Sequence, residues 1–293
     1  MNLATNRLPT IKQLRYFVAL TQTRHFGRAA AQCFVSQSSF SSAIQNLESL
    51  LDTQLVDRKN RKVTITATGH EIAVLARLCL QDLNALSEAA RAHNKPLHGP
   101  LQLGVIPTIA PFLLPRVLKD LRASFPELQL FLYEDLTQRL YELLSDGTLD
   151  VVLLALPYQL TGVQEMVLYR DRFRLAAREG TELVDPHNYR FNRLNASSVL
   201  LLKDGHCLRA HAIDACRIRS SEKLASFSAS SLLTLIEMVD ADLGVTFLPE
   251  MAVDSAMLQS TDVKTYPLTD NNYREIALVW RRGSARQEEF RTL

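Results

Sequence analysis

The chain has 293 residues, 47% hydrophobic and 22% charged, with 33 Lys+Arg against 31 Asp+Glu, proportions that exclude a disordered, collagen-like or fibrous protein. Its longest apolar run, Val151 to Leu156, is far below the roughly 20 residues of a bilayer span, and Met1 to Thr10 carry no apolar signal segment, so a cytoplasmic protein with no membrane partner is expected. The net charge of +2 hides an asymmetry, since residues 1 to 99 hold 12 Lys+Arg and 6 Asp+Glu and the remainder 21 and 25. A basic domain joined to a mildly acidic one suits a polyanion at one end and a different task at the other. Four cysteines, Cys33, Cys79, Cys207 and Cys216, do not form a disulfide framework in a reducing compartment; a pair that oxidises there is redox-active rather than structural.

From Thr10, a plausible cap, Ile11, Leu14, Phe17, Val18 and Thr21 recur at helical spacing to about Arg24. His25 to Ala31 reads as a second short helix whose alanines allow close approach, and a third begins at Ser36. Phe40, Ile44, Leu47 and Leu51 form its buried stripe, with Gln37, Ser38, Ser41, Ser42 and Gln45 opposite. Short, uncharged hydrogen-bonding groups of this kind suit a helix lying against base edges in a major groove. Gln54 to Thr66 reads as two strands around a basic turn, a wing whose Arg58, Arg61 and Lys62 meet phosphate or the minor groove. The alternative for the same pattern is a generic three-helix bundle with a solvated serine face.

Leu14-Arg15-Tyr16-Phe17, Phe26-Gly27-Arg28-Ala29-Ala30, Phe34-Val35-Ser36-Gln37-Ser38, Leu47-Glu48 and Asp57-Arg58 resemble the DNA-binding domain of LysR-type transcriptional regulators. Ser38 stands where that family usually has proline, and Phe40 where leucine is common. The resemblance implies a winged helix-turn-helix at 8–66, a double-stranded DNA operator as partner, and contact with RNA polymerase.

Between Ala67 and Lys95 the residues Ile72, Ala76, Cys79, Leu83, Leu86, Ala90 and His93 alternate spacings of 4 and 3, the seam of a two-stranded coiled coil. A linker helix over 67–97 that pairs two chains is expected, punctuated by His98-Gly99-Pro100. A helix packed on its own chain fits the same residues.

Beyond Pro100 strand and helix alternate. Leu101 to Ile106, Leu128 to Tyr133, Leu149 to Leu156, Val199 to Leu202, Val245 to Leu248 and Ile276 to Trp280 read as strands; Phe112 to Ala123, Thr137 to Ser145 and Leu232 to Val239 read as helices. The fold class is therefore α/β: after the winged head and linker helix, two doubly wound lobes like those of periplasmic binding proteins, lobe I over about 98–170 and 270–293, lobe II over about 171–269. Ligands in such sheets bind beyond the carboxyl ends of strands, where Thr108 and Thr137 stand. Each threonine has an equal claim to be a helix cap.

The sharpest local signal is Lys203-Asp204-Gly205-His206-Cys207-Leu208-Arg209, with Cys216 nine positions after Cys207. Asp204 reads as an N-cap, placing Cys207 in the first helical turn. The helix dipole, Arg209 and a protonated His206 are then expected to lower its pKa. Cys216 falls on the apolar face, buried and reduced. A helix over both puts their Cα atoms about 13 Å apart, beyond the about 7 Å that a disulfide tolerates, so oxidation would have to unwind the segment. Two unrelated cysteines, one on the surface and one in the core, is the other reading of these residues.

Gly205-His206-Cys207-Leu208-Arg209 with Cys216, and Gly104 to Pro115 with its Ile106-Pro107-Thr108, resemble the hydrogen-peroxide sensors of the LysR type. That resemblance implies that Cys207 is the peroxide-reacting thiolate and Cys216 its disulfide partner. It further implies that Thr108 and Thr137 hold the peroxide with His206 beside the sulfur and Asp204 and Arg209 nearby, and that dimers pair into tetramers. The reading is a peroxide-responsive activator rather than an enzyme. A LysR-type regulator answering to a small metabolite is the alternative; a thiol peroxidase would leave the basic head without a use. No metal-ligand cluster, phosphate loop or hydrolase triad is visible, and no cofactor is expected. His25, His70, His187 and His211 read as ordinary structural or surface residues.

Overall fold

The computed structural model describes residues 8–57, 63–91, 97–188, 194–216, 218, 221–268 and 272–293. Two compact units emerge, one of Met1–Lys95 with Asp146–Thr148, the other of Pro96–Ser145 with Leu149–Leu293.

In the first unit α1 (Ile11–Thr23) begins at a full capping box, the Thr10 hydroxyl accepting from the Gln13 N–H while the Gln13 side chain reaches back to the Thr10 backbone. His25 caps α2 (Phe26–Gln32) through Nδ1, which accepts from Arg28 N at 3.2 Å, and Ser36 caps α3 (Gln37–Leu51). Phe17, Leu20, Phe40, Ile44 and Leu47 close the core. The inward face of α1 is Tyr16, Phe17, Ala19 and Leu20, whereas Ile11 is largely exposed. Burial of about 25 cal/mol per Å² of apolar surface makes this stripe the main force holding three short helices together. Strands β1 (Val56–Asp57) and β2 (Thr64–Ile65) pair antiparallel as the wing. The turn with Arg58, Arg61 and Lys62 lies outside the described residues.

Helix α4 (Ala67–Arg91) follows. Ala73 and Ala76 are buried, while Leu75 and Leu86 are 60% and 70% exposed and Cys79 is exposed too. This corrects the seam: Ala76 points inward, and Leu75, which the heptad count omits, takes the outward stripe with Cys79 and Leu86. At about 100° per residue these three stand within a 40° arc. His93 lies outside the described residues.

The second unit contains β3 (Gly99–Val105), α5 (Ala110–Ser124), β4 (Leu128–Glu134), α6 (Thr137–Ser145), β5 (Val151–Leu156), β6 (Val163–Arg178), β7 (Val199–Leu202), α7 (Cys207–Ala215), β8 (Leu224–Ala229), α8 (Leu232–Asp240), β9 (Thr246–Pro249), α9 (Ala256–Gln259), β10 (Val263–Pro267), β11 (Tyr273–Arg281) and α10 (Gln287–Thr292). Strand β3 pairs in parallel with β4 and β5, and β7 with β8. The sheets are mixed, because β11 runs antiparallel to β5 and β6, and β6 antiparallel to β9 and β10. The 16-residue β6 escapes the sequence pattern: its first half is largely exposed and shows no clean alternation, so only pairing to β11 reveals it.

Two hydrophobic cores result. The first is built on Leu101, Val105, Leu140, Val152, Leu154, Ile276 and Trp280, the second on Leu175, Val199, Leu201, Leu235, Ile236 and Phe247. Helix α7 touches both: Cys207 packs into the first core and Cys216 into the second.

Candidate redox site and DNA-reading face

Positive φ at Gly205 (97°) turns the chain into α7, a backbone state that glycine adopts without the steric penalty of a Cβ. The N-cap is His206, not Asp204, and no side chain caps the helix. Asp204 is 96% exposed and pairs with Arg209 Nε at 2.9 Å; Arg209 also donates to the Leu202 carbonyl at 3.2 Å. Asp204 and Arg209 therefore engage each other and the backbone, not the sulfur. His206 is buried, and burial holds its imidazole below the ordinary range despite the opposing Ser230 backbone. A neutral His206 supplies no positive charge to the thiol, contrary to the expectation from the sequence.

Cys207 is buried at the first residue of α7. Burial pushes its thiol up rather than down, because removal from water penalises the thiolate more than the helix start favours it. Opposing that rise are the Thr137 hydroxyl, the Arg274 guanidinium and the N–H groups of Cys207 and Leu208. Thr137 opens α6, and its Oγ1 is buried without a formed hydrogen bond, so it caps no helix and is left to serve the sulfur or a ligand.

Arg274, on β11, is the cation that the sequence reading missed. It is 0% exposed, donates from Nε to Asp171 Oδ2 at 3.0 Å, and clamps Thr108 through Nη1 to Oγ1 and Nη2 to the backbone oxygen, both 2.9 Å. Thr108 is thereby excluded as the α5 cap, which is Ile109 without a side-chain bond. Because the guanidinium only donates, the Thr108 hydroxyl keeps its own proton free to donate onward. Asp171 Oδ1 accepts from Met251 N at 3.1 Å. Burial raises this carboxyl and Arg274 pulls it back; with two oriented donors on it, the carboxylate is the paired anion of a buried ion pair. Asp171 stands 103 positions from Arg274, and no local signal in the sequence connects them.

Cys216 is the C-cap of α7, buried, its thiol pushed up to about 12 by desolvation. Neither cysteine is bonded to the other. Nine steps of about 1.5 Å still separate their Cα atoms by about 13 Å. The structure thus brings Thr108, Thr137, Arg274 and Cys207 together and holds Cys216 apart.

On α3, Gln37 and Ser38 are exposed and Ser41 half-buried; at about 100° per residue Ser38 stands opposite the Phe40, Ile44 and Leu47 stripe, whereas Gln37 and Ser41 lie on its flank. Ser42 and Gln45 beside them are uncharged and exposed, adding amide and hydroxyl groups of the kind that suit base edges.

Residues 11–70 match the bacterial regulatory helix-turn-helix protein of the lysR family, and residues 94–293 match the LysR substrate binding domain. The chain belongs to the LysR family of DNA-binding transcriptional regulators. Among relatives of this LysR-family regulator, the "Hydrogen peroxide-inducible genes activator" of Haemophilus influenzae is 38% identical over 96% of the chain and 93% of the relative. The "DNA-binding transcriptional dual regulator OxyR" of Escherichia coli is 36% identical over 97% and 93%, and the "HTH-type transcriptional regulator EstR" of Acinetobacter baylyi 38% over 97% and 94%. Among solved structures, a full-length OxyR variant from Pseudomonas aeruginosa superposes with a TM-score of 0.81 at 32% identity, covering 96% of this chain and 92% of that one. Membership of a DNA-binding family makes the α3 face a candidate for base reading. In a Gln37→Ala, Ser41→Ala variant of this regulator, gel-shift competition is expected to show preference for operator over random DNA falling at least tenfold, about 1–3 kcal/mol per lost base contact. Unchanged selectivity would move base reading off α3.

Proposed function

We propose that this regulator is a hydrogen-peroxide-sensing activator of oxidative-stress genes, switched by a reversible Cys207–Cys216 disulfide. The observation that carries the reading is α7 itself, which begins with one thiol in the first core and ends with another in the second. A disulfide between them requires that α7 unwind and that at least one core release its cysteine, so oxidation is a structural event and not only a chemical one. In this reading Thr108, Thr137 and the N–H groups at the start of α7 donate to the peroxide oxygens and the departing hydroxide. Relatives named as hydrogen peroxide-inducible activators, and an OxyR variant from Corynebacterium glutamicum solved with hydrogen peroxide bound, with a TM-score of 0.64 at 34% identity over 98% of this chain and 91% of that one, support the same assignment.

The chemistry balances simply. The Cys207 sulfur attacks one peroxide oxygen, the O–O bond breaks, and sulfenic acid and water result. Condensation of that sulfenic acid with the Cys216 thiol releases a second water and forms the disulfide. Repacking of α7 between the lobes then alters how paired regulatory domains sit, and the linker helices transmit the change to the DNA heads. The outward Leu75, Cys79 and Leu86 of α4 supply the apolar stripe for chain pairing. In this reading 8–66 is the head, 67–97 the linker and 98–293 the two-lobed regulatory domain. The protein acts in the cytoplasm, on operator DNA and RNA polymerase, as dimers that pair into tetramers.

Titrating the purified chain with hydrogen peroxide and mapping thiols by mass spectrometry is expected to show one disulfide, Cys207 to Cys216, with Cys33 and Cys79 reduced. Oxidation confined to Cys33 or Cys79 would instead favour a metabolite-responsive regulator, a reading consistent with EstR, a relative whose name carries no reference to peroxide.

A further inference from the structure

Resting on the peroxide reading, we infer that His211 accepts the proton that Cys207 loses when it attacks the peroxide. The two residues stand four apart on α7, the spacing that stacks side chains on one helix face with Cβ atoms about 5–6 Å apart. His211 is buried, and its Nε2 lies 2.8 Å from the Pro157 carbonyl. A carbonyl only accepts, so Nε2 carries the ring proton and Nδ1 holds the lone pair. That Nδ1 is buried without a hydrogen-bond partner, an expensive condition for a polar atom unless a ligand or proton uses it. Resting-state catalytic contacts often tighten only when substrate binds, and one water between Nδ1 and the sulfur would carry the proton without breaking the Pro157 hydrogen bond.

The surroundings select this group. Among the titratable and charged groups near α7, the buried imidazole of His206, beside Cys207, leaves no ring nitrogen both buried and unpartnered, and Arg274 on β11 is a permanent cation committed to Asp171 and Thr108. Asp171 on β6 is paired, Tyr158 after β5 donates to Gln138 Oε1 at 3.2 Å, and Asp214 on α7 is exposed. Strand β7 presents only Val199 to Leu202. Burial, with Arg274, keeps His211 below the ordinary imidazole range and therefore neutral, against the opposing Pro157 carbonyl and Asp214. A buried thiol with a raised pKa needs such an acceptor. Nδ1 takes the thiol proton as sulfur bonds to one peroxide oxygen; the other oxygen leaves as hydroxide and collects that proton as water. Sulfur is oxidised by two electrons, the O–O bond is reduced, and His211 ends neutral.

The test is the second-order rate of Cys207 oxidation by hydrogen peroxide in the full chain, from pH 5 to 9, for wild type and His211→Gln. The wild-type rate should level off above a break below pH 6.5. The variant should be at least 100-fold slower at pH 7, the scale of general base catalysis, and should keep rising with pH through 9. Equal rates and profiles overturn the inference while leaving the peroxide reading intact. If His211→Gln does not fold, the wild-type profile decides, and a rise with no break below pH 6.5 overturns it. A wild-type chain whose Cys207 stays reduced overturns the peroxide reading and this inference with it.

Discussion

Arg274→Met is expected to destabilise the regulatory domain by about 3–5 kcal/mol, the scale for removing one partner of a buried ion pair. The Asp171 carboxylate would be left with the Met251 N–H alone, and Thr108 would lose both of its 2.9 Å donors. The pH dependence has a definite sign. Without the guanidinium, only the Met251 N–H still opposes burial and the Glu250 carboxylate, and the Asp171 pKa rises further above the unfolded value. A raised carboxyl binds a proton in the fold, so the deficit is smaller at low pH and grows as pH rises through the new pKa. Urea unfolding at pH 5 and pH 8 should show this difference between variant and wild type. An Arg274→Met, Asp171→Leu double variant should recover most of the stability, yet its Cys207 should still oxidise slowly, because Thr108 remains unheld. A deficit below about 1 kcal/mol at pH 8 would mean that the pair is dispensable.

Cys207→Ser should abolish any peroxide-dependent change in DNA footprint and transcription while leaving operator affinity as in wild type. Cys216→Ser should instead accumulate sulfenic acid at Cys207, trapped by a nucleophilic reagent and identified by mass. The reason for the asymmetry is burial: with its pKa at about 12, Cys216 is a thiol at neutral pH and attacks only after α7 opens and admits water. Opening itself is linked to pH. Below about pH 9 the Cys216 thiol is neutral in both folded and unfolded states; above it the opened chain ionises first, so stability of the closed form falls by about 1.4 kcal/mol per pH unit until about pH 12. Disulfide formation after sulfenic acid should therefore accelerate from pH 8 to 10 in wild type, independent of peroxide concentration. Should Cys207→Ser still respond to peroxide, sensing lies elsewhere.

Local chemistry accounts for what the sequence determined by itself. Thr10 as a cap, a helix start at Ser36, the Phe40-Ile44-Leu47 stripe, the alternation of strands with helices, and a helix with Cys207 in its first turn all follow from propensity and spacing over a few residues, whereas its N-cap proved to be His206 and not Asp204. Tertiary structure decided the rest. Strand β6 exists because β11 pairs with it, not because its own residues alternate. His206, Asp204 and Arg209 are adjacent to Cys207 in sequence, but the turn at Gly205 sends Asp204 and Arg209 towards each other, and burial strips His206 of its charge. The cation whose charge acts on the sulfur, Arg274, and its anchor Asp171 come from distant strands. Even the direction of the Cys207 shift was beyond the sequence: a helix N-terminus lowers a thiol's pKa in water, whereas the packed core around Cys207 excludes the water that would solvate the thiolate, and desolvation outweighs the dipole.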